Sequence, residues 1–176
     1  MAWGAHILKL YRTPTDLLRV VVPYLKAGLA HNECCLWVTD SVPVMKAELA
    51  LAAAVRDFHR RWRHGQIDIM DSLAWYLAGP QLDPARVLAA YRRRLKTALA
   101  SGFDGLRLVA DMSWVDGDNW DKVLEYETAG NRLIGRYRII ALCCYPVLDG
   151  KPLAVPKIKR LHSVALAPGA NGHGAL

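Results

Sequence analysis

"CCLWVTD", residues 34–40, is a short apolar run closed by a threonine and an aspartate, the pattern of a buried strand that opens onto a loop. Runs of the same kind recur as "HILKLY" (6–11), "IDIMD" (67–71), "GLRLVADMSW" (105–114) and "RIIALCCYPV" (138–147), with "SVALA" (163–167) short enough for a last edge strand. Helical segments lie between them. Thr15 or Asp16 is placed to cap a helix over Leu17–Leu29, in which Pro23 predicts a kink. An alanine-rich helix is expected over 43–63, with Gly65 as its stop. Asp83-Pro84 opens a helix that closes on Gly102, and a further helix is predicted over 120–135.

Strands that alternate with helices predict a three-layer α/β domain, with a mainly parallel sheet of five or more strands and helices on both faces. One domain over 1–167 accounts for the chain, and 168–176 reads as a disordered tail. At 176 residues a single core buries roughly 70% of the unfolded chain's surface, so no covalent staple is needed. "LALAAAV" (49–55) typifies the apolar stretches, far short of the ~18 residues that span a bilayer. With four cysteines and no leader-like N-terminus, a reducing, cytoplasmic setting without membrane contact is expected.

The formal net charge of +7 comes largely from 55–65, 91–96 and 156–160. Lysine and arginine clusters can neutralise phosphates. These lie on helices with aliphatic faces and accompany no reading motif, so nucleic acid is not the expected partner, although a basic adaptor contacting nucleic acid or an acidic protein stays an alternative.

Adjacent residues on a strand project to opposite faces, so neither Cys34 and Cys35 nor Cys143 and Cys144 can readily share one ion. Core packing is the expected role of all four, and no metal and no cofactor are expected. One cysteine from each pair with His6 or His162 is the arrangement that geometry leaves open. There is no G-x-S-x-G, C-x-x-C, H-E-x-x-H or Gly-rich dinucleotide motif.

In a parallel sheet, ligands bind at the carboxyl ends of the strands. Those ends carry Tyr11 and Arg12, Thr39 and Asp40, Asp71 and Ser72, Asp111 to Trp114 (with Ser113 between), and Tyr145. Asp40 and Asp71 could equally be helix caps. Asp111 interrupts an apolar strand, and it and Trp114 are expected to form part of the ligand pocket.

The stretches "HILKLY", "VVVPYLKAGLAHNECCLWVTD", "GQIDIMDSLAWYL", "QLDPARV", "GLRLVADMSWV", "EYETAGN" and "IIALCCYP", in that order from His6 to His162, resemble the MEDS domain. That family comprises sensory modules of methanogens and methylotrophs, proposed to respond to simple hydrocarbon derivatives and often joined to DNA-binding or kinase domains. The resemblance falls on His6, Tyr11, Glu33, Cys35, Trp37, Trp114, Glu125, Glu127, Asn131, Cys143 and Tyr145. It departs at Asp111, where glutamate is common, and at Pro146, where an acidic residue is. The resemblance adds Glu125 to the ligand-binding set, with His6, Cys35 and Cys143 as further positions.

The element order also resembles the RecA-like ATPases of the circadian-clock type. Here "RTPTDLL" (12–18) occupies the phosphate-loop position without the glycines and lysine that cradle phosphates. The resemblance thus implies a RecA-like fold without NTP hydrolysis, and a separation between the strands at 34–40 and 138–147 too wide for a disulfide between the cysteine pairs. The expected function is a non-enzymatic sensor of a small organic ligand that signals to a regulatory protein, with self-association compatible. A nucleotide-binding protein with an unusual phosphate site, helped by Arg12, is the enzyme alternative.

Overall fold

The computed structural model describes residues 1–79, 81–115, 119–147 and 155–166; the predicted tail, 168–176, lies outside them. Elements run in the order β1 (His6–Tyr11), α1 (Pro14–Ala30), β2 (Cys34–Thr39), α2 (Val44–Ala54), α3 (Phe58–Arg63), β3 (Ile67–Asp71), α4 (Ser72–Tyr76), α5 (Pro84–Ala100), β4 (Leu106–Asp111), α6 (Trp120–Ile134), β5 (Ile139–Pro146), α7 (Val155–Leu161) and β6 (Val164–Leu166). The six strands form one sheet in the order β3-β2-β4-β5-β1-β6, and every pairing is parallel.

The apolar strands are buried on both faces. Side chains alternate, so Cys34, Leu36 and Val38 join a core beneath α5 and α6, while Cys35 and Trp37 join a second core with α1 and α2. This is why the runs read as continuous rather than alternating hydrophobics. No helix among the described residues is long and apolar enough to cross a membrane.

β4 separates β2 from β5, as expected. In register, Val38 sits beside Ala110 and Ala110 beside Cys143, so the cysteine pairs are offset along the strands as well. All four thiols are free and buried.

Two local expectations need correction. The cap of α1 is Thr13, whose side chain accepts from the Asp16 amide while Asp16 accepts from the Thr13 amide, both at 3.1 Å; Pro14 takes the first helical position, where its missing donor costs nothing. α1 then runs on through Pro23, which lies on the exposed side. The helix expected over 43–63 is two helices: Val55 is extended and Asp57 is left-handed at φ 60°. That break lets Val55 and Phe58 both enter the core under α1 and α2. Gly65, at φ +70°, ends α3 as predicted. α4 and α7 were not foreseen; each is short, and local pattern is weak over so few residues.

Gly28 deserves its place by close approach. A Cβ there would fall 2.5 Å from Arg107 Cδ and 2.9 Å from a Glu33 carboxylate oxygen. Those two side chains form a buried ion pair, Arg107 Nε and Nη2 both donating to Glu33, with the guanidinium 4.5 Å from the Tyr24 ring centre.

Candidate functional site

Besides the Arg107–Glu33 pair, buried polar side chains among the described residues gather in two further groups. The first stands at the carboxyl ends of β1, β2 and β4. Asp111 is fully buried, and its Oδ1 accepts from the Tyr11 hydroxyl at 2.8 Å and the Ser113 amide at 3.3 Å. Its Oδ2 accepts from the amides of Asp40 and Ser41 at 3.2 and 2.8 Å and from the Ser41 hydroxyl at 2.7 Å. Burial, then the Asp111 charge, push the Tyr11 phenol well above its ordinary range.

Asp40 extends this group by accepting from Ser113 Oγ at 2.5 Å and from Ser72 Oγ. Of the two aspartates that could cap helices, Asp71 does so, accepting from the Leu73 amide at 2.9 Å. Asp40 does not; α2 opens at Pro43. The carboxylate that interrupts the apolar strand is therefore paired with donors from within the chain, as burial of a charge requires.

The second group lies between the sheet and α6 and α7. Glu127 is 1% exposed, His6 1%, Cys143 3% and His162 8%. Glu127 Oε1 accepts from the Tyr145 hydroxyl at 2.5 Å, and Oε2 lies 3.3 Å from His6 Nε2 and 3.6 Å from His162 Nε2. Cys143 Sγ is 3.3 Å from His6 Nε2. The two imidazoles stack with centres 3.9 Å apart. Each gives its other ring nitrogen to a backbone carbonyl: His6 Nδ1 to Leu161 at 3.1 Å and His162 Nδ1 to Ile158 at 2.8 Å.

Burial raises the Glu127 carboxyl, but the hydrogen bond and charge of His6, the charge of His162 and the Tyr145 hydroxyl outweigh it and leave it below its ordinary value. Burial and the Glu127 charge hold the Cys143 thiol far above its usual range. Burial lowers His162, only partly offset by Glu127.

Beside this group is a small cavity of about 20 Å³. His6, Glu127 and Cys143 form its polar wall; Leu88 and Tyr91 of α5, Tyr126, Gly130, Leu133 and Ile134 of α6, and Leu108, Ala110 and Ala141 of the sheet form the rest. The hydroxyls of Tyr76, Tyr91 and Tyr126 form a chain beyond it, at 3.0 and 3.3 Å.

The predicted site residues are thus divided. Tyr11, Asp40, Asp111 and Ser113 meet at the strand ends; His6, Cys143 and Tyr145 meet around Glu127. Trp114 stacks on Tyr76 with ring centres 5.0 Å apart. Cys35 lies in the opposite core, and Arg12 is exposed. Glu125 is also outside both groups, exposed and paired with Lys122 at 2.9 Å, because residues two apart on a helix point about 200° from one another.

Glu127 had a sequence signal. It sits on the stripe Val123, Tyr126, Gly130 and Ile134 that α6 buries, a carboxylate at a position where the helical period demands an apolar residue. His162 follows the unforeseen α7, and no local pattern marks it.

The sequence model of the MEDS family, described as MEthanogen/methylotroph, DcmR Sensory domain, matches residues 5–163. The chain is 31% identical over 152 residues to the transcriptional repressor DcmR of Methylorubrum extorquens, covering 84% of this chain and 54% of that protein; it therefore spans about half the length of this relative. Among solved structures, the KaiC-like protein PH0186 of Pyrococcus horikoshii OT3 is similar at a TM-score of 0.65 and 17% identity, covering 94% of this chain and 72% of that one. The uncharacterized protein PH0321 from Pyrococcus horikoshii, in complex with an unknown peptide, is similar at a TM-score of 0.64 and 12% identity, covering 93% and 77%. At such identities the likeness concerns the fold, which is RecA/KaiC-like.

Proposed function

The chain belongs to the MEDS family of sensory domains, and from that membership we propose that it is a non-enzymatic sensor that binds a small organic molecule in the cavity between the sheet and α5 and α6. The observation that carries the reading is the cavity itself: about 20 Å³, room for roughly one or two water-sized groups, apolar over most of its wall and polar at one end. Such a site suits a molecule of very few heavy atoms with one polar end, a simple hydrocarbon derivative in chemical terms. Occupancy would press α6 away from the sheet, and the signal would pass to a regulatory protein through that movement.

The β1–α1 connection supports a sensor over a nucleotide-dependent enzyme. Where a phosphate would meet the N-terminus of α1, the Asp16 carboxylate already accepts from the Thr13 amide, and its charge opposes an anion there.

The test is calorimetric titration of the purified protein with one- and two-carbon alcohols, amines and halides, and with ATP and magnesium. Binding of an organic ligand that Gly130→Leu abolishes without unfolding supports the cavity. Binding that survives Gly130→Leu but is lost in Trp114→Ala moves the site to the strand ends. A melting temperature raised by ATP would return the nucleotide alternative; a ligand at 100 times its Kd contributes about 2.7 kcal/mol, well within detection.

A further inference from the structure

The atoms that converge in the second polar group are all electron-pair donors. His6 and His162 each direct Nδ1 at a backbone carbonyl, so in the neutral form of either ring Nδ1 carries the proton and Nε2 the lone pair. Both Nε2 atoms then face Glu127 Oε2, and His6 Nε2 faces Cys143 Sγ as well. His162 Nε2, on a side chain that is 0% exposed, has no hydrogen-bond partner among the described residues. The Cys143 thiol is the one proton these four atoms hold between them, and His162 Nε2 is left facing a carboxylate with no donor to share, a place that a cation would fill.

We propose that His6 Nε2, Glu127 Oε2, Cys143 Sγ and His162 Nε2 are the four ligands of a single divalent transition-metal ion of the zinc class. All four atoms lie within 4.8 Å of one another. A tetrahedral ion with nitrogen and oxygen at about 2.0–2.1 Å and sulfur at about 2.3 Å has ligand-to-ligand edges of about 3.3–3.6 Å; three of the six separations, at 3.3, 3.3 and 3.6 Å, lie in that range, and the others, within 4.8 Å, would close on the ion. Two neutral imidazoles, one carboxylate and one thiolate balance a dication, so the loaded group carries no net charge into the core. The thiol proton leaves when the metal enters. Backbone carbonyls orient both imidazoles and Tyr145 holds the far oxygen of Glu127, the supporting contacts such a ligand set needs.

With all four positions filled by protein the site is of the structural kind. It ties the α7–β6 connection, which carries His162, to β1, α6 and β5. Metal loading therefore governs how firmly 155–166 is held on the sheet. Three of these ligands also form the polar wall of the cavity, but metal uptake and organic-ligand binding are measured separately, so either can fail alone.

The test is to strip the reduced protein with a chelator and titrate it with cobalt(II). The expected result is one cobalt per chain, with the intense visible bands of a tetrahedral ion and a thiolate-to-cobalt charge-transfer band, both displaced by zinc and neither by magnesium. Cys143→Ser should remove the charge-transfer band while Cys34→Ser keeps it. Tyr145→Phe, which leaves all four ligands, should weaken zinc binding roughly 10–100-fold. Zinc should also slow amide exchange over 155–166 in the wild type, a readout that needs no variant to fold. Failure of the folded, reduced wild type to take up cobalt or zinc would leave an imidazolium–carboxylate pair in place of a metal site and overturn the proposal, as would a cobalt spectrum unchanged by Cys143→Ser.

Discussion

Replacing Asp111 by asparagine separates an anchoring carboxylate from a ligand contact. The carboxylate accepts from two groups at Oδ1 and three at Oδ2. An amide places its NH2 toward one of those sets, and the less costly choice is Oδ1, where the Tyr11 hydroxyl can turn from donor to acceptor. The Ser113 amide is then left unsatisfied, at about 1–3 kcal/mol, and the three remaining bonds lose charge assistance worth about 1 kcal/mol each. The total is about 4–6 kcal/mol. At about 2–4 °C per kcal/mol for a domain of this size, the melting temperature should fall by roughly 10–20 °C. Differential scanning calorimetry, with urea unfolding as a second measure, reads this directly. A loss below about 1 kcal/mol would refute the anchoring role, and an unchanged melting temperature together with lost ligand binding would make Asp111 a binding residue instead.

Two glycines should respond to alanine with opposite signs. At Gly130 the added Cβ meets only Leu88 Cδ2 at 3.9 Å, so Gly130→Ala should stabilise by up to about 1 kcal/mol through helix propensity. Gly28→Ala meets Arg107, locked against Glu33, at 2.5 Å and should cost about 1–3 kcal/mol; urea midpoints for the pair test both. Alkaline titration should show delayed tyrosine ionisation. Burial raises Tyr11, Tyr24, Tyr76, Tyr126 and Tyr145, and pushes Tyr91 up to about 12. The folded state therefore holds more protons than the unfolded above the ordinary tyrosine value of about 10, so stability is fully present below pH ~10 and declines above it. Tyrosinate absorbance from these residues should appear together with loss of helical circular dichroism; its appearance in a fully folded protein would contradict their burial.

The alternation of apolar strands and helical segments was enough to predict a parallel α/β sheet, because strands buried on both faces are near-continuous apolar runs whatever their neighbours are. Asp83 and Pro84 at the start of α5 and Gly65 after α3 were equally legible, since caps act within one turn. The break between α2 and α3 was not: Val55 and Phe58 leave a helical path only because the core under α1 has room for both. The same distinction holds at the sites. Asp111 announced itself as a charge in an apolar strand; Glu127, although Glu125 was placed in the expected site instead, carried the same kind of signal as a charge on a buried helical stripe. Their partners did not, because Ser41 reaches Asp111, and His162 reaches Glu127, only after strands distant in sequence are placed side by side. Strand order brings His6 of β1 next to Cys143 of β5 and sets Cys35 on the opposite face. Residue type and local period thus show that a polar group will be buried, while what it meets there depends on sheet order and register, which short-range pattern does not encode.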